Sequence, residues 1–429
     1  MNRLSCLIAA IAATLLLNGC LGGALNLGSS AAPPTNIQVF PGDSSVTLIW
    51  DSVPNVEYWV FAAPGSNVTT DNWNTQGGSA YPKANSPHVV TGLTNDTQYS
   101  FTINGRIDGG PGGPGSPSIS ATPRLAGASW AGGGALSTND LNGVTFGTIL
   151  VNGVASSTAF VAVGAHGALY SSPDFNAWST PVWTALTNPS SADLYAATYY
   201  NGVYLAAGAG GTILYSTDAI TWTQQTSNTT GNLYAIGING IGGYVAAGQG
   251  GAVITSVDGK TWTALTPLSA ANGHDLRGVA YGNLTWVVVG DGGTLLTSTD
   301  GTTWTAPISL ASTINLKSVA YGVNVDPATN TVIGYIFVAI GDNGVLVTSA
   351  DGVTWTQSTI GSTTNPNLKS VTFGRQFIAV GDSGSIFTSR NGTTWTAQTS
   401  STTSNLKAVG HSTTNYSVVG AAGTNLSGI

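Results

Sequence analysis

Residues 297 to 304 read Thr-Ser-Thr-Asp-Gly-Thr-Thr-Trp, and the pattern Ser-x-Asp/Asn-x-x-x-Trp occurs six times: Ser172 to Trp178, Ser216 to Trp222, Ser256 to Trp262, Ser298 to Trp304, Ser349 to Trp355 and Ser389 to Trp395. Each residue type suits a tight hairpin: Ser and Asp side chains tie back to nearby amides, Gly takes a positive φ, and Trp wedges under the turn. Two further signals keep pace with it. An Asx-Leu pair opens each of seven units, at Asp140-Leu141, Asp193-Leu194, Asn232-Leu233, Asp275-Leu276, Asn315-Leu316, Asn367-Leu368 and Asn405-Leu406. An aromatic then stands four residues before a glycine, as Phe160 before Gly164 or Trp286 before Gly290. A third short apolar run follows that glycine.

Four short strands per unit, at a spacing of about 40 residues, is the signature of a β-propeller blade. Seven units predict seven blades over residues 125–429. Two wide spacings come from insertions, Thr148 to Thr158 and Val323 to Gly334. In the first unit Trp183-Thr184-Ala185 competes with Trp178 for the last strand. The seventh unit ends without its tryptophan, whereas Gly127-Ala128-Ser129-Trp130-Ala131, ahead of the first unit, has the missing strand's character. Residues 127–131 are expected to pair with the C-terminal unit and so hide both sheet edges.

The repeated motif resembles the Asp-box of sialidases, with one residue fewer before the glycine. In that family the boxes sit on the face opposite the active site, so the resemblance implies fold and little chemistry. Sialidase catalysis needs an arginine cluster, a Tyr/Glu nucleophile couple and an acidic proton donor. The repeats contain only Arg277, Arg375 and Arg390, and the chain's one glutamate is Glu57. A pair of aspartates could serve a hydrolase instead, but eleven of the twelve in the repeats sit at repeat-locked positions. Such residues are turn builders, so no catalytic residue is expected. The units also resemble propellers of the photosystem II assembly-factor type, without the arginine-rich patch that family uses. Photosynthetic function is therefore not implied.

Residues 35–123 alternate apolar and polar, as in Val46-Thr47-Leu48-Ile49-Trp50 and Tyr99-Ser100-Phe101-Thr102-Ile103, which predicts antiparallel strands. This segment resembles a fibronectin type III domain, through Trp50, the Gly92 to Tyr99 run that looks like a tyrosine corner, and Ala121-Thr122-Pro123. The fold class expected is thus all-β, a fibronectin type III sandwich plus a seven-bladed propeller. The Pro/Gly stretch 109–117 reads as a stiff exposed turn.

Residues 1–19 carry an early cation and an apolar run, and read as a signal peptide. Leu17-Asn18-Gly19-Cys20 resembles a bacterial lipobox, which implies lipidation of Cys20 and membrane attachment through it. Leu21 lacks the aspartate associated with inner-membrane retention, so an outer-membrane lipoprotein of the cell envelope is expected. Residues 20–34 read as a flexible tether. With Cys6 and Cys20 assigned to these segments no thiol remains, and His88, His166, His274 and His411 share no ligand spacing, so neither metal nor cofactor is expected. No basic tract is present to grip nucleic acid.

In a propeller the first strand of each blade lines the central channel, and its start shares a face with the turn between the second and third strands. The residue after each opening Leu is Asn142, Tyr195, Tyr234, Arg277, Lys317, Lys369 or Lys407. The turn contributes Ala165, Ala209, Gln249, Asp291, Asp342, Asp382 and Ala421. Candidate ligand-binding residues are therefore Tyr195, Tyr234, Arg277, Lys317, Lys369, Lys407, Asp291, Asp342 and Asp382. Two readings stand side by side: the cations pair with aspartates of their own or neighbouring blades, or the tyrosines offer stacking surfaces beside a polar rim for a peptide or sugar. The function expected is non-enzymatic binding of a protein or glycan, with the fibronectin-type segment as spacer. An envelope assembly or scaffold factor is the alternative, and a glycan-active hydrolase a more remote one.

Overall fold

Alternation along three strands builds the core of the N-terminal unit. Val46, Leu48 and Trp50 on Ser45–Asp51, Tyr58, Val60 and Ala62 on Glu57–Pro64, and Phe101 and Ile103 on Tyr99–Ile107 point into one buried cluster. The computed structural model describes residues 28–151, 154–174, 181–306, 310–311, 313–326, 329, 331–361 and 365–428, so residues 1–19, Cys20 and Trp178 lie outside the described residues. The chain divides into two units, Met1–Pro123 and Arg124–Ile429.

In the first unit, Thr35–Gly42, Ser45–Asp51 and His88–Thr91 form one sheet, and Ser29–Ala31, Tyr99–Ile107, Glu57–Pro64 and Ser79–Ala84 form the other, with Ile119–Ala121 also on Tyr99–Ile107. The Tyr99 hydroxyl accepts a hydrogen bond from the Thr94 backbone N–H at 3.2 Å, the back-bond expected of a tyrosine corner. Two expectations need correction. Ser29–Ala31 lies inside the segment read as a free tether, yet it pairs with Gly105 to Ile107. The reason is an unfilled edge: Ile119–Ala121 covers only Tyr99 to Phe101, and the remaining backbone groups need partners. The 109–117 stretch, read as exposed, fills the gap between them, with Gly113 N–H on Gly105 O at 3.0 Å and Ser116 N–H on Ile103 O at 2.9 Å.

The second unit is a ring of seven antiparallel sheets in up-and-down order. Their inner strands are Leu141–Val151, Leu194–Tyr200, Leu233–Ile238, Leu276–Gly282, Leu316–Asp326, Leu368–Phe373 and Leu406–His411. Six sheets have four strands, and the fourth has three plus the isolated Thr297–Thr305 bridge. Thr184–Ala185 is the last strand of the first blade. The seventh blade is completed from the other end of the unit, because Trp130–Gly132 pairs with Asn425–Gly428. Both insertions extend the first hairpin of their blade, as Leu141–Val151 with Val154–Gly164 and Leu316–Asp326 with Thr331–Gly341.

Burial is between blades rather than within them. Val287 and Val289 of the fourth blade share a cluster with Leu316, Phe337 and Val347 of the fifth. The glycine four residues after each aromatic has a packing reason: a Cβ on Gly164 would stand 2.1 Å from the Asp140 carbonyl oxygen.

The Ser-x-Asp turns are self-contained. Ser298 Oγ donates to Asp300 Oδ1 at 3.0 Å and accepts from Gly301 N–H at 2.8 Å, while Asp300 Oδ1 also accepts from the Thr302 and Thr303 amides at 2.7 Å each. Trp304 Nε1 donates to the Gly301 carbonyl at 3.1 Å. Asn391 reproduces the backbone bonds in the sixth blade, at 2.9 and 2.8 Å. Hydrogen bonds to the charged form, led by the Thr261 and Thr354 amides, hold Asp258 and Asp351 down at about 2. These side chains face solvent, so each contributes at the low end of charged hydrogen bonds.

Asp300→Ala is expected to lower unfolding free energy by about 1 kcal/mol, and Asp300→Asn by clearly less, because Asn391 already supports the same turn. Carboxylates held below their ordinary value of about 4 stabilise the fold fully above that pH, and their contribution disappears as pH falls toward 2. Melting temperature should therefore drop between about pH 4 and pH 2, and changing Asp258, Asp300 and Asp351 together to Asn should flatten that drop in a pH-resolved melting series.

Candidate functional site: the mouth of the central channel

The residue that opens each blade is bonded in two directions. Its backbone carbonyl accepts from the turn of its own blade, as Asp140 O from Ala165 N–H and Asn367 O from Asp382 N–H, at 2.8 to 3.0 Å in all seven blades. Its side-chain oxygen accepts from the turn of the preceding blade. Asp193, Asn232, Asp275, Asn315, Asn367 and Asn405 take the amides of His166, Gly210, Gly250, Gly292, Asn343 and Ser383, and Asp140 takes that of Ala422, which closes the ring; all seven distances lie between 2.7 and 3.1 Å. The donors can reach because each sits in the left-handed region, with φ between 48° and 63°. A second left-handed residue, always Gly, follows each of them, as in the twisted two-residue hairpin turn.

Just after the Leu, every inner strand slips register. Leu141 faces Gly164 but Gly143 faces Val163, and the same one-residue bulge recurs at Tyr195, Tyr234, Arg277, Lys317, Lys369 and Lys407. A bulge leaves its extra residue unpaired and re-aims its side chain. Six of the candidate residues read from the repeat, Tyr195, Tyr234, Arg277, Lys317, Lys369 and Lys407, are thus bulged residues, and the structure gathers them around one end of a central cavity of about 850 Å³; the other three, Asp291, Asp342 and Asp382, stand in the adjoining turns, outside the cavity lining.

Their charges are fixed in pairs. Arg277 contacts Asp275 at 2.8 Å and Asp291 at 2.9 Å. Lys317 lies 2.7 Å from Asp291 and 3.5 Å from Asp342, and Lys369 lies 3.9 Å from Asp342 and 3.3 Å from Asp382. Lys407 reaches across the ring closure to Asp140 at 2.7 Å and to Asn142 Oδ1 at 3.0 Å. Pairing of cations with aspartates of their own and neighbouring blades is therefore realised. Burial pulls Asp291 upward, but Lys317 and Arg277 outweigh it and leave the carboxyl below its ordinary value. The Lys407 hydrogen bond lowers Asp140 in the same way.

The neutral arc differs from expectation in one respect. On the second of the two readings Tyr195 and Tyr234 both offer stacking surfaces, but Tyr234 is already engaged: the Arg277 guanidinium lies 4.1 Å from its ring centroid and the Tyr195 ring 5.2 Å away. Tyr195 and Asn142 complete the uncharged arc, with Asn142 Nδ2 donating to the Leu194 carbonyl at 3.0 Å. Burial raises the Tyr195 hydroxyl above its ordinary value, so this arc stays neutral over the physiological range. The other end of the cavity, which sequence reasoning did not single out, carries Arg375 and His411. Arg375 Nε donates to the Thr413 carbonyl at 3.2 Å, and burial lowers His411. Both stand at the far ends of their hairpins, away from the Asx-Leu signal that marks the first mouth. Among the described residues no cluster of metal-ligating side chains occurs.

No family model and no curated protein matches the chain. Solved structures do: one titled "YCF48 bound to D1 peptide" superposes with TM-score 0.53 at 18% identity over 72% of this chain and 99% of that one. Another, "YCF48 from Cyanidioschyzon merolae", gives 0.52 at 18% identity, over 70% and 98% of the two chains. At that identity the likeness shows a shared propeller fold.

Lys317→Ala leaves Asp291 and Asp342 with one cation fewer and should cost about 1 kcal/mol at low salt. The loss should shrink as salt screens the ring, and urea unfolding at two ionic strengths reads both. A salt-insensitive loss would mean that lysine packing, not charge, is what matters there.

Proposed function

We propose that the propeller is a non-enzymatic binding module whose channel mouth takes a protein ligand. The observation that carries this reading is the bulged ring itself, a preorganised rim on which every cation is tied to carboxylates and a neutral sector with Tyr195 stands beside it. Aspartates bonded to lysine and arginine in this way are poorly placed to serve as acid and base, but well placed to give a polar ligand fixed partners. A propeller of the same fold has been solved holding the D1 peptide named in its title, which makes a peptide the first ligand class to test. A glycan is the second reading, favoured by the Tyr195 ring next to hydrogen-bonding groups.

We place the module in the cell envelope, as an outer-membrane lipoprotein anchored at Cys20, with residues 35–123 as a fibronectin-type spacer in chain order before the propeller. Two packed sheets and the Tyr99 back-bond support the fibronectin reading; the lipobox-like Leu17 to Cys20 supports the anchor.

Changing Tyr195, Tyr234 and Arg277 together to Ala is expected to abolish binding of a ligand found by envelope pull-down or glycan array, while Asp300→Ala leaves it intact. Unaltered affinity in the folded triple variant would move the site elsewhere. Cys20→Ala should release the protein to the soluble fraction; continued membrane association, with no lipid on the wild-type N-terminus by mass spectrometry, would contradict the anchor.

A further inference from the structure

The two ends of the propeller are chemically unlike. In an up-and-down four-stranded blade, the first and third turns share the end opposite the mouth. Among the described residues, all eleven strongly exposed large hydrophobic side chains of this unit belong to those turns or to the two long hairpins. Ile241 and Val257 are each 84% exposed and Leu284 78%, and Ile220, Tyr335 and Val353 are also exposed. One-sidedness of this degree is not the scattered surface apolarity of ordinary folds, which calls for no explanation.

Leu284 adds a second observation. It sits at φ 58° in the hairpin turn after Asn283, where the second blade has Gly202 at φ 84°. A branched side chain in the left-handed region is strained, and here it projects into solvent, so packing gives no reason for it. Strain kept without a packing benefit points to use.

The same arc is acidic. In the third turns of the second to fifth blades this end carries Asp218, Asp258, Asp300 and Asp351 against Lys260. The turn amides keep Asp258 and Asp351 ionised down to about 2, so the charge persists at any physiological pH. Arg375 lies apart, on the sixth blade, whereas Arg390 adjoins the fifth blade's long hairpin, its carbonyl accepting from the Val325 N–H at 3.1 Å, so Asp326 beside it stands outside the acidic arc. An anionic bilayer would be repelled by this arc, and a second copy would set one acidic arc against another. A surface that is apolar and acidic fits a partner that is apolar and basic.

We propose that this end of the propeller docks a cationic amphipathic protein segment, with lysines or arginines alternating with aliphatic residues. The apolar side chains at the turn tips cover its aliphatic positions, and the turn aspartates face its cations. This surface is independent of the channel mouth, and the protein would bridge two partners.

The test uses the full chain, a synthetic peptide alternating lysine and leucine, its glutamate/leucine counterpart, phosphatidylglycerol vesicles, and sedimentation for self-association. The lysine peptide should bind, with affinity falling as salt rises, and the glutamate peptide should not. Combining Ile241→Ser, Val257→Ser and Leu284→Gly should weaken binding by roughly ten-fold or more. Leu284→Gly alone should keep or raise the melting temperature while still weakening binding, a combination that a merely structural leucine would not give. The variant lacking Tyr195, Tyr234 and Arg277 side chains should bind the peptide normally, which separates this surface from the mouth. Equal binding of both peptides, unchanged affinity in the apolar variants, preferential binding to vesicles, or a self-associated state that the peptide does not disperse would each overturn the proposal.

Discussion

A single acceptor, the side-chain oxygen of the Asp or Asn that opens each blade, sets the geometry of the propeller. It takes the left-handed amide of the preceding turn, while its own carbonyl takes the amide of the turn in its own blade. Neighbouring blades are thereby registered at one end to within a hydrogen bond's tolerance. Only a short oxygen-bearing side chain reaches across that gap, which explains why Asp and Asn alternate freely at the position and nothing else occurs there. The seventh contact, Ala422 to Asp140, joins the chain's last blade to its first.

The display of side chains at the mouth follows from this clasp. With the opening residue pinned on both sides and the next Leu buried, the inner strand takes up the difference as a bulge, and the bulged side chain is turned toward the channel. Variation at this one position then changes the chemistry of the mouth without touching the frame. In this chain it has given a tyrosine and asparagine sector and a charged sector in which Arg277, Lys317 and Lys369 are each held between two carboxylates and Lys407 between one carboxylate and Asn142. The opposite end is freed from that constraint, since its turns are closed by their own Ser and Asp side chains, and their tips can carry exposed apolar groups.

Much of the architecture was legible because repetition separates frame from variation. The Asx-Leu pairs, the aromatic-to-glycine spacing and the displaced strand near Trp130 predicted seven blades and their closure, and the position after Leu predicted the mouth. What stayed hidden were contacts between repeats. Nothing within one unit says that Asp275 bonds to the turn of the blade before it, or that Arg277 would cover the ring of Tyr234. Ser29–Ala31 was hidden for a related reason, since Gly/Ser/Ala-rich sequence pairs here only because a distant strand leaves its edge open. The apolar end was also invisible until topology placed Ile241, Val257 and Leu284 together, because singly each reads as an incidental surface residue.

Amide hydrogen exchange at the turn residues His166, Gly210, Gly250, Gly292, Asn343, Ser383 and Ala422 tests the clasp most directly. Amides at exposed turn tips ordinarily exchange freely. If the opening residues hold the ring together, all of these amides will be protected, and Asp275→Ala will release Gly250 while leaving His166 and Ser383 protected. Free exchange at all of them in the wild-type protein, or an unchanged Gly250 in the variant, would contradict the account.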